Sequence, residues 1–256
     1  MKSILHKVTR ADVVRTPFPH VVIDEALDAE LYARLAAAFP SGEVVMDGRP
    51  LENNTAYRLG SARIIEDPRI AQSWKEFVGL HTSQAFFAEV MAIFGDAIRE
   101  LHPALESRLG FTLDTARTSV RGSDPFADVA LDAQLCWGSP VTSLSSSAPC
   151  HVDRQVALFA GLLYCRLPGD DAEGGDLELY RFLGSEHRYD KRRWVDPSLV
   201  QPVKRIPYAA NRLVFFIHSP HSLHGVTPRG QTPWPRLHVN FLAELQTEVF
   251  DLGMSA

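Results

Sequence analysis

Cys150-His151-Val152-Asp153-Arg154 is the stretch on which the reading of this chain turns. It is read together with a second stretch near the C-terminus, Asn211-Arg212-Leu213-Val214-Phe215-Phe216, which runs on to His224-Gly225-Val226. Side chains alternate between the faces of a β-strand with period two. If 151–153 is extended, the His151 imidazole and the Asp153 carboxylate point the same way. A second imidazole from a distant strand then completes a three-point claw for a divalent metal. Two imidazoles and one carboxylate hold one face of an octahedron and leave the opposite face free.

Working outward, short strand-like runs surround both stretches. They include 111–113, 130–137, 141–144, 156–165, 175–180, 200–206, 212–217 and 237–242, divided by Gly and Pro. Several short strands at near-regular intervals predict a β-sandwich or jelly roll. The N-terminal part differs in character. Residues 12–24 read as a short β segment around Val21-Val22-Ile23, and Asp28 as the N-cap of a helix over 29–39. Residues 41–70 read as a long, polar surface segment with one strand near Arg63-Ile64-Ile65. Over 70–109 Trp74, Phe77, Val78, His81, Phe86, Val90, Ile93, Phe94 and Ile98 keep helical spacing. His81 on that stripe reads as a packed core histidine, and Gly110 as a C-cap. Residues 184–198 read as a charged surface excursion. Its basic cluster offers a contact for an anionic substrate or partner, although a solvated loop is the plainer reading.

Composition narrows the classes. The chain has 256 residues, 45% of them hydrophobic, and a formal charge of −5. That charge speaks against a general nucleic-acid binder. No apolar run approaches a membrane span. Three cysteines, Cys136, Cys150 and Cys165, have no CxxC spacing and read as reduced thiols. The N-terminus lacks the pattern of a signal peptide, and the expected location is cytoplasmic. The serines at 145–147 lack the setting of a nucleophile elbow, which leaves a serine hydrolase unsupported.

A bare His-x-Asp is a weak signal. Four further features strengthen it. The apolar run 213–217 delivers the chain to a turn holding His218, His221 and His224. His224 is the favoured ligand, because Gly225-Val226 lets the chain leave a crowded metal, whereas His218 and His221 read as polar loop residues. Arg236 opens the alternating run Arg236-Leu237-His238-Val239-Asn240-Phe241, and its guanidinium can fork onto a carboxylate. If Arg236 faces inward, so do His238 and Asn240. The competing Arg229 lies in a Pro-Arg-Gly turn and is expected to be exposed. Tyr164 follows the His-x-Asp motif by one strand length and is placed to set a phenol beside Arg236; a core tyrosine is the plainer alternative. Gly174-Gly175 supplies a turn with free φ.

On these residues the chain resembles the Fe(II)/2-oxoglutarate-dependent dioxygenase superfamily, on its prolyl-4-hydroxylase-like side. The resemblance runs from about Thr16 to Leu245. It is most specific over 150–182 and 210–242, where His151-x-Asp153, Leu163-Tyr164, Gly174-Gly175-Asp176-Leu177, Asn211 to Phe216, His224-Gly225-Val226 and Arg236 occur in the family's order. It implies an α+β fold, a double-stranded β-helix (jelly-roll) core with flanking N-terminal helices. It implies one domain over 1–256, with 1–110 a mainly helical flank and lid and 111–245 the core. His151, Asp153 and His224 resemble the iron ligands. Arg236, assisted by Tyr164, resembles the clamp on the distal carboxylate of 2-oxoglutarate. The interval from His224 to Arg236 is longer than in prolyl hydroxylases, so Arg229 stays open as the other clamp candidate.

The implied activity is hydroxylation of an unactivated C–H bond of a small metabolite, amino-acid-like or a natural-product intermediate. It would be coupled to decarboxylation of 2-oxoglutarate to succinate and CO2, with O2 as oxidant and ascorbate as sustaining reductant. Halogenases of the superfamily resemble the same scaffold with a small residue in place of the carboxylate, so Asp153 implies hydroxylation. Arg154, Gln134, Trp137 and Arg121 are the candidate substrate contacts. The expected partner is a small-molecule substrate, with no nucleic acid and no membrane, and a homodimer is left open. The alternatives are a prolyl-type peptidyl hydroxylase acting on a protein and a non-catalytic jelly-roll sensor that binds metal or ligand.

Overall fold

The computed structural model describes residues 1–253. In chain order the elements are β1 (His20–Ile23), α1 (Ala29–Ala37), α2 (Gly42–Met46), β2 (Ala56–Leu59), α3 (Ser61–Glu66), α4 (Gln72–His81), α5 (Gln84–Leu101), α6 (Leu105–Leu109), β3 (Thr118–Val120), β4 (Val129–Gly138), β5 (Ala157–Tyr164), β6 (Leu177–Phe182), β7 (Val200–Ile206), β8 (Leu213–Ile217), β9 (His224–Val226) and β10 (Arg236–Leu245). Two sheets form. The larger has the order β1-β8-β5-β10-β4-β2, with β3 added in parallel to β4. The smaller has the order β7-β6-β9. Isolated bridges from His151 to His224 and to Trp194 extend the smaller sheet beyond β9. Sequence-distant strands alternate between two facing sheets. That topology is the double-stranded β-helix, here flanked by N-terminal helices.

The larger sheet shows how period two partitions the sequence. Strand β10 pairs with β4 from Arg236↔Gly138 to Leu245↔Val129, and on its other side with β5. Its odd-numbered residues Val239, Phe241 and Ala243 are fully buried against the helical layer, where Phe241 meets Phe77 at a ring separation of 6.0 Å. Its even-numbered residues face the other sheet, and Arg236, His238, Asn240, Leu242 and Glu244 line cavities there. Strand β8 divides the same way. Phe215 stacks on Phe94 of α5 at 5.2 Å, while Val214 and Phe216 join a smaller core between the sheets with Leu177, Leu179 and Tyr208. Burial of large side chains, at roughly 1.5–3 kcal/mol each, makes the helical face the main source of cohesion.

The helices follow the expected stripe. Helix α5 starts at Ser83, whose hydroxyl accepts the N–H of Phe86. Helix α6 ends on Gly110 in the left-handed region. His81 is a packed histidine. Its Nε2 accepts the Ile4 N–H at 3.0 Å, and its Nδ1 donates to the Phe77 carbonyl at 2.7 Å. No single helix among the described residues is long and apolar enough to cross a membrane.

Several expectations fail. Residues 63–65 are helical, within α3, and 41–70 is not a surface segment, because Val45, Tyr57, Leu59 and Ile64 are all buried. The start of α3 is held by a carboxylate from another element. Asp132 on β4 accepts from the Ser61 N–H at 2.8 Å and from its hydroxyl at 2.7 Å. A local reading cannot see that partner. Residues 111–113 do not form a strand; Leu113 opens a 3-10 turn. Within 141–145 only isolated bridges form, from Val141 to Thr232 and from Ser145 to Arg229. Asp28 occupies the N-cap position of α1, but its side chain accepts no cap hydrogen bond.

Candidate metal centre and its cavities

His151 and His224 come from segments 73 residues apart and sit directly opposite each other across an antiparallel bridge. Each donates its backbone N–H to the other's carbonyl, at 2.9 and 3.0 Å. Residues paired in this way project to the same face. The two imidazole rings accordingly lie 4.4 Å apart between centroids. Asp153 follows His151 by two and returns to that face. The segment 151–153 is not a continuous strand, since only His151 is in a bridge. Its extended course is held instead by neighbours on both sides. Val152 donates to the Arg193 carbonyl and Val195 to the Cys150 carbonyl.

Gly225 makes this pairing close. A Cβ there would meet the backbone N of Cys150 at 2.9 Å and the carbonyl carbon of Pro149 at 3.0 Å. The glycine beside His224 is therefore needed to let two backbones approach, and not, as the sequence reading had it, to lead the chain away from the metal.

The donor atoms converge. One ligand atom from each of His151, Asp153 and His224 lies within 4.8 Å of the others. Among the described residues no other group of three His, Cys, Asp or Glu side chains does so. Each ligand histidine has a fixed tautomer. The Nδ1 of His151 donates to the Pro149 carbonyl at 2.8 Å, and that of His224 to the Ser222 carbonyl at 2.9 Å. Both Nε2 lone pairs are thereby left for an ion. They face the carboxylate, with His151 Nε2 3.5 Å from Asp153 Oδ1 and His224 Nε2 3.8 Å from Oδ2.

The electrostatics agree. Burial opposes ionisation of Asp153, but the surrounding His151, His218 and His224 outweigh it and hold the carboxyl well below the usual range. Burial, followed by the charge of His151, pushes His224 down to about 3. Burial also opposes charging of His151, but Asp153 outweighs it and the net direction is up. The site thus presents a charged carboxylate and a neutral His224 at physiological pH.

His218 was expected to be a polar loop residue. It is fully buried, with Nε2 3.2 Å from Asp153 Oδ2. It stands against the carboxylate at ion-pair distance without forming a hydrogen bond to it. The only sequence signal for this was its place at the end of an apolar run.

Behind the triad lies a cavity of about 100 Å3, walled by Leu177, Phe216 and Val226 and ending at Arg236 and His238. Arg236 is buried. Its Nε donates to the Gly175 carbonyl at 2.9 Å, its Nη1 lies 3.4 Å from His238 Nδ1, and its Nη2 has no partner. Its guanidinium carbon sits 5.1 Å from the Tyr164 ring centre and 4.8 Å from that of Tyr208. The Tyr164 hydroxyl is buried and also without a partner. Buried polar atoms are rarely left unpaired. An unpaired guanidinium N–H at the end of a narrow cavity, with an unpaired phenol packed next to it, matches a carboxylate. Gly174 shapes this end, because at φ +79° a Cβ would lie 1.9 Å from the Pro228 carbonyl oxygen. Tyr208, which no sequence feature marked, exchanges hydrogen bonds with the Leu237 backbone and so anchors β10 beside Arg236.

Arg229 is not exposed. It is fully buried and grips Asp170 through Nη2, at 2.8 and 2.7 Å, with Nη1 on the Trp234 carbonyl. Its charge is already matched, whereas that of Arg236 is not.

In front of the triad a second cavity of about 380 Å3 opens. Arg121, Gln134 and Arg154 line it. Trp137 does not. It lies on the opposite face of β4 from Gln134, against Tyr57 and Gly42. Positions 134 and 137 differ by an odd number, so one strand cannot send both inward. Asn240 lines the cavity too, as its inward parity predicts, and so do Arg58 and Glu244, which no sequence feature marked. Glu244 binds Arg121 at 2.9 Å and Arg154 at 3.0 Å.

No protein-family model matches this chain, and no curated protein sequence matches it. Solved structures do. It is similar to a Pseudomonas putida prolyl-4-hydroxylase, at 15% identity and a TM-score of 0.46, over 89% of this chain and 93% of that one. It is similar to SnoK, a non-haem alpha-ketoglutarate-dependent carbocyclase from nogalamycin biosynthesis, at 12% identity and 0.45, over 88% and 79%. It is also similar to the epimerase SnoN in complex with Fe3+, alpha-ketoglutarate and nogalamycin RO, at 14% identity and 0.43, over 92% and 82%. At these identities and scores the functional reading rests on the chain's own side chains.

Proposed function

We propose that this protein is an Fe(II)- and 2-oxoglutarate-dependent dioxygenase of the prolyl-4-hydroxylase-like kind, which hydroxylates an unactivated C–H bond of a small molecule. The observation that carries the reading is the pairing of two features across one wall. Two imidazoles and a carboxylate face a common point, and behind them a narrow cavity ends at Arg236, whose Nη2 is unpaired and whose guanidinium packs on Tyr164, itself carrying an unpaired buried hydroxyl. That donor set suits Fe(II), and the cavity suits a short dicarboxylate. Bound together, iron and 2-oxoglutarate supply the activation of O2, with succinate and CO2 as coproducts.

The chain's own residues supply the rest. His151, Asp153 and His224 would hold the metal, with His218 keeping the carboxylate in place. Arg236 and Tyr164 would neutralise the distal carboxylate of 2-oxoglutarate and fix its orientation. Apolar walls at Leu177, Phe216 and Val226 would limit water around the bound cosubstrate. The wider outer cavity would receive the substrate in front of the triad. Three free, buried cysteines fit a reducing, cytoplasmic setting, and one large core cluster joining helices and sheet fits a single domain.

The test is succinate formation from 2-oxoglutarate with added Fe(II) and ascorbate, screened across a metabolite library, with product mass checked for one added oxygen. Wild type gives succinate, and Asp153→Ala gives none and loses metal affinity. Absence of succinate from folded, iron-loaded wild type under every condition would sink the catalytic reading and favour a sensor.

A further inference from the structure

The outer cavity is unusually rich in one side chain. Arg58, Arg121, Arg154, Arg192 and Arg193 all line it, against two carboxylates, Asp153 and Glu244. Asp153 belongs to the triad, and Glu244 is shared between Arg121 and Arg154. Among the described residues Arg58, Arg192 and Arg193 have no carboxylate within ion-pair distance. This concentration of positive charge occurs in a chain whose formal charge is −5. It does not reflect a generally basic surface.

Arg193 is the most committed of the three. Its backbone is left-handed, at φ +64°. Glycine or asparagine is the usual occupant of such a position, and a long side chain there is strained. The turn around it is tightly pinned. The Asp190 carboxylate accepts the N–H groups of Arg192 and Trp194, and the Asp190 carbonyl accepts that of Arg193. The Arg193 carbonyl in turn accepts from Val152, between the two metal-binding positions. The side chain is half-buried, and its Nε is buried with no partner. Arg192 is held at the rim with its guanidinium 5.1 Å from the Trp194 ring centre. Within 184–198 the 190–194 turn, bridged through Trp194 to His151, therefore brings two guanidinium groups to the cavity, and the segment is not only a solvated excursion.

The cavity also has a neutral side. Ala157, Ala160 and Leu242 line it beside Gln134 and Asn240. Its volume of about 380 Å3 falls at the small end of the range for small-molecule sites. A guanidinium fork matches a carboxylate or a phosphoryl group, and the complete absence of lysine from the lining favours such planar recognition.

We propose that the outer cavity is an anion-recognition site, and that the substrate is a small molecule whose carboxylate or phosphoryl head group is held by Arg193 with Arg192 and Arg58, its neutral body lying along Ala157, Ala160 and Leu242 toward the triad. This rests on the oxygenase reading for the identity of the triad, but not for the anion site itself.

The test is calorimetric binding to protein loaded with Mn(II) and saturating 2-oxoglutarate under nitrogen, so that the inner cavity is already filled. The probes are phenyl phosphate, benzoate and benzamide, three rings with a phosphoryl, a carboxylate and a neutral head. At least one anion binds, and benzamide binds at least tenfold more weakly. Which anion binds tighter distinguishes a phosphoryl from a carboxylate substrate. Arg193→Gln weakens the anion by about tenfold or more, the scale of one lost charge-assisted bond, and Arg193→Lys restores part of it. An anion that bound only to the metal would be indifferent to Arg193. Should Arg193→Gln fail to fold, Arg192→Gln, which borders the outer cavity and not the inner one, carries the test with the same expected direction. The proposal is overturned if no anion binds, if benzamide binds equally well, or if the arginine variants fold and bind as wild type does. The 2-oxoglutarate titration in the same protein reports separately on the oxygenase reading: its failure condemns that reading, while its success beside absent anion binding condemns only this one.

Discussion

Replacing Arg236 with glutamine separates the two arginines that compete for the cosubstrate role. The guanidinium of Arg236 spends Nε on the Gly175 carbonyl, shares Nη1 loosely with His238 at 3.4 Å, and leaves Nη2 free. A carboxylate entering the inner cavity meets Nη2 and the weakly held Nη1. A net contribution of about 1.5–3 kcal/mol per bond to a charged group gives a loss of about 3 kcal/mol for the pair at the low end. That loss corresponds to roughly 100-fold in affinity. The apparent requirement for 2-oxoglutarate should rise by that factor while turnover at saturation changes little, the pattern of an interaction made equally before and during reaction. Arg236→Lys should fall between the two, since it keeps a charge and loses the fork.

Arg229→Gln should behave differently. It removes the close partner of buried Asp170 and leaves, among the described residues, only Arg166, at 3.6 Å. Breaking such a pair costs about 3–5 kcal/mol of stability, so urea unfolding should shift strongly. Affinity for 2-oxoglutarate in the protein that remains folded should fall far less than for Arg236→Gln, because Arg229 reaches the clamp only through the Tyr208 ring that both guanidinium groups flank. Calorimetry with the Mn(II)-loaded protein reads the first quantity and urea titration the second. If Arg236→Gln binds 2-oxoglutarate as wild type does, or Arg229→Gln loses it with stability intact, the assignment from unpaired donors is wrong.

Gly225→Ala should push the Cys150 backbone away from β9, at a cost of about 1–3 kcal/mol in stability, and lower metal affinity at least tenfold; equal Mn(II) titrations would contradict the close-approach argument. Removing His218, which touches Asp153 but is not one of the three converging donors, should weaken metal binding by about 10–100-fold, with His218→Gln recovering part of it, and unchanged affinity would show that Asp153 needs no such support. His81 gives a pH test remote from the metal. Burial lowers it from 6.5 to about 4, so the unfolded chain takes up the proton first, and stability falls as pH drops through that window by roughly 3 kcal/mol. Urea unfolding across the window should be flatter by that amount in His81→Gln, and an unchanged slope would refute the attribution.

What the sequence made legible follows from strand periodicity. The His151-x-Asp153 spacing and the inward run of Arg236, His238 and Asn240 are both consequences of period two, and both side-chain sets share a face in the fold. Trp137 shows the same rule neglected, since its parity excluded it once Gln134 was taken as inward. Arg229 was misplaced for a different reason. A Pro-Arg-Gly turn looks solvated in isolation, but this one is bridged to Ser145 and laid over Asp170, which lies 59 residues away. The elements within 41–70 escaped notice because β2 is four residues long and paired to β4, and because the cap of α3 is Asp132. Local patterns reveal which way a residue points relative to its neighbours. They do not reveal what stands opposite.

The arginine cavity extends that distinction to function. Arg58, Arg121 and Arg154 lie on three separate segments, and Arg192 and Arg193 on a fourth. Along the sequence each is an ordinary solvated cation with acidic residues in reach. Only the convergence of β2, the end of β3, the loop after His151 and the 190–194 turn on one space leaves Arg58, Arg192 and Arg193 there without an ion-pair partner among the described residues. A fold whose chain is acidic overall has no reason of stability to gather guanidinium groups there, because like charges at close range repel. The strain at Arg193 points the same way, since glycine at that position would relieve it without disturbing the backbone bonds to Val152. The arrangement is accounted for if an anion completes it, which makes the missing charge, and not any single residue, the feature by which the substrate can be sought.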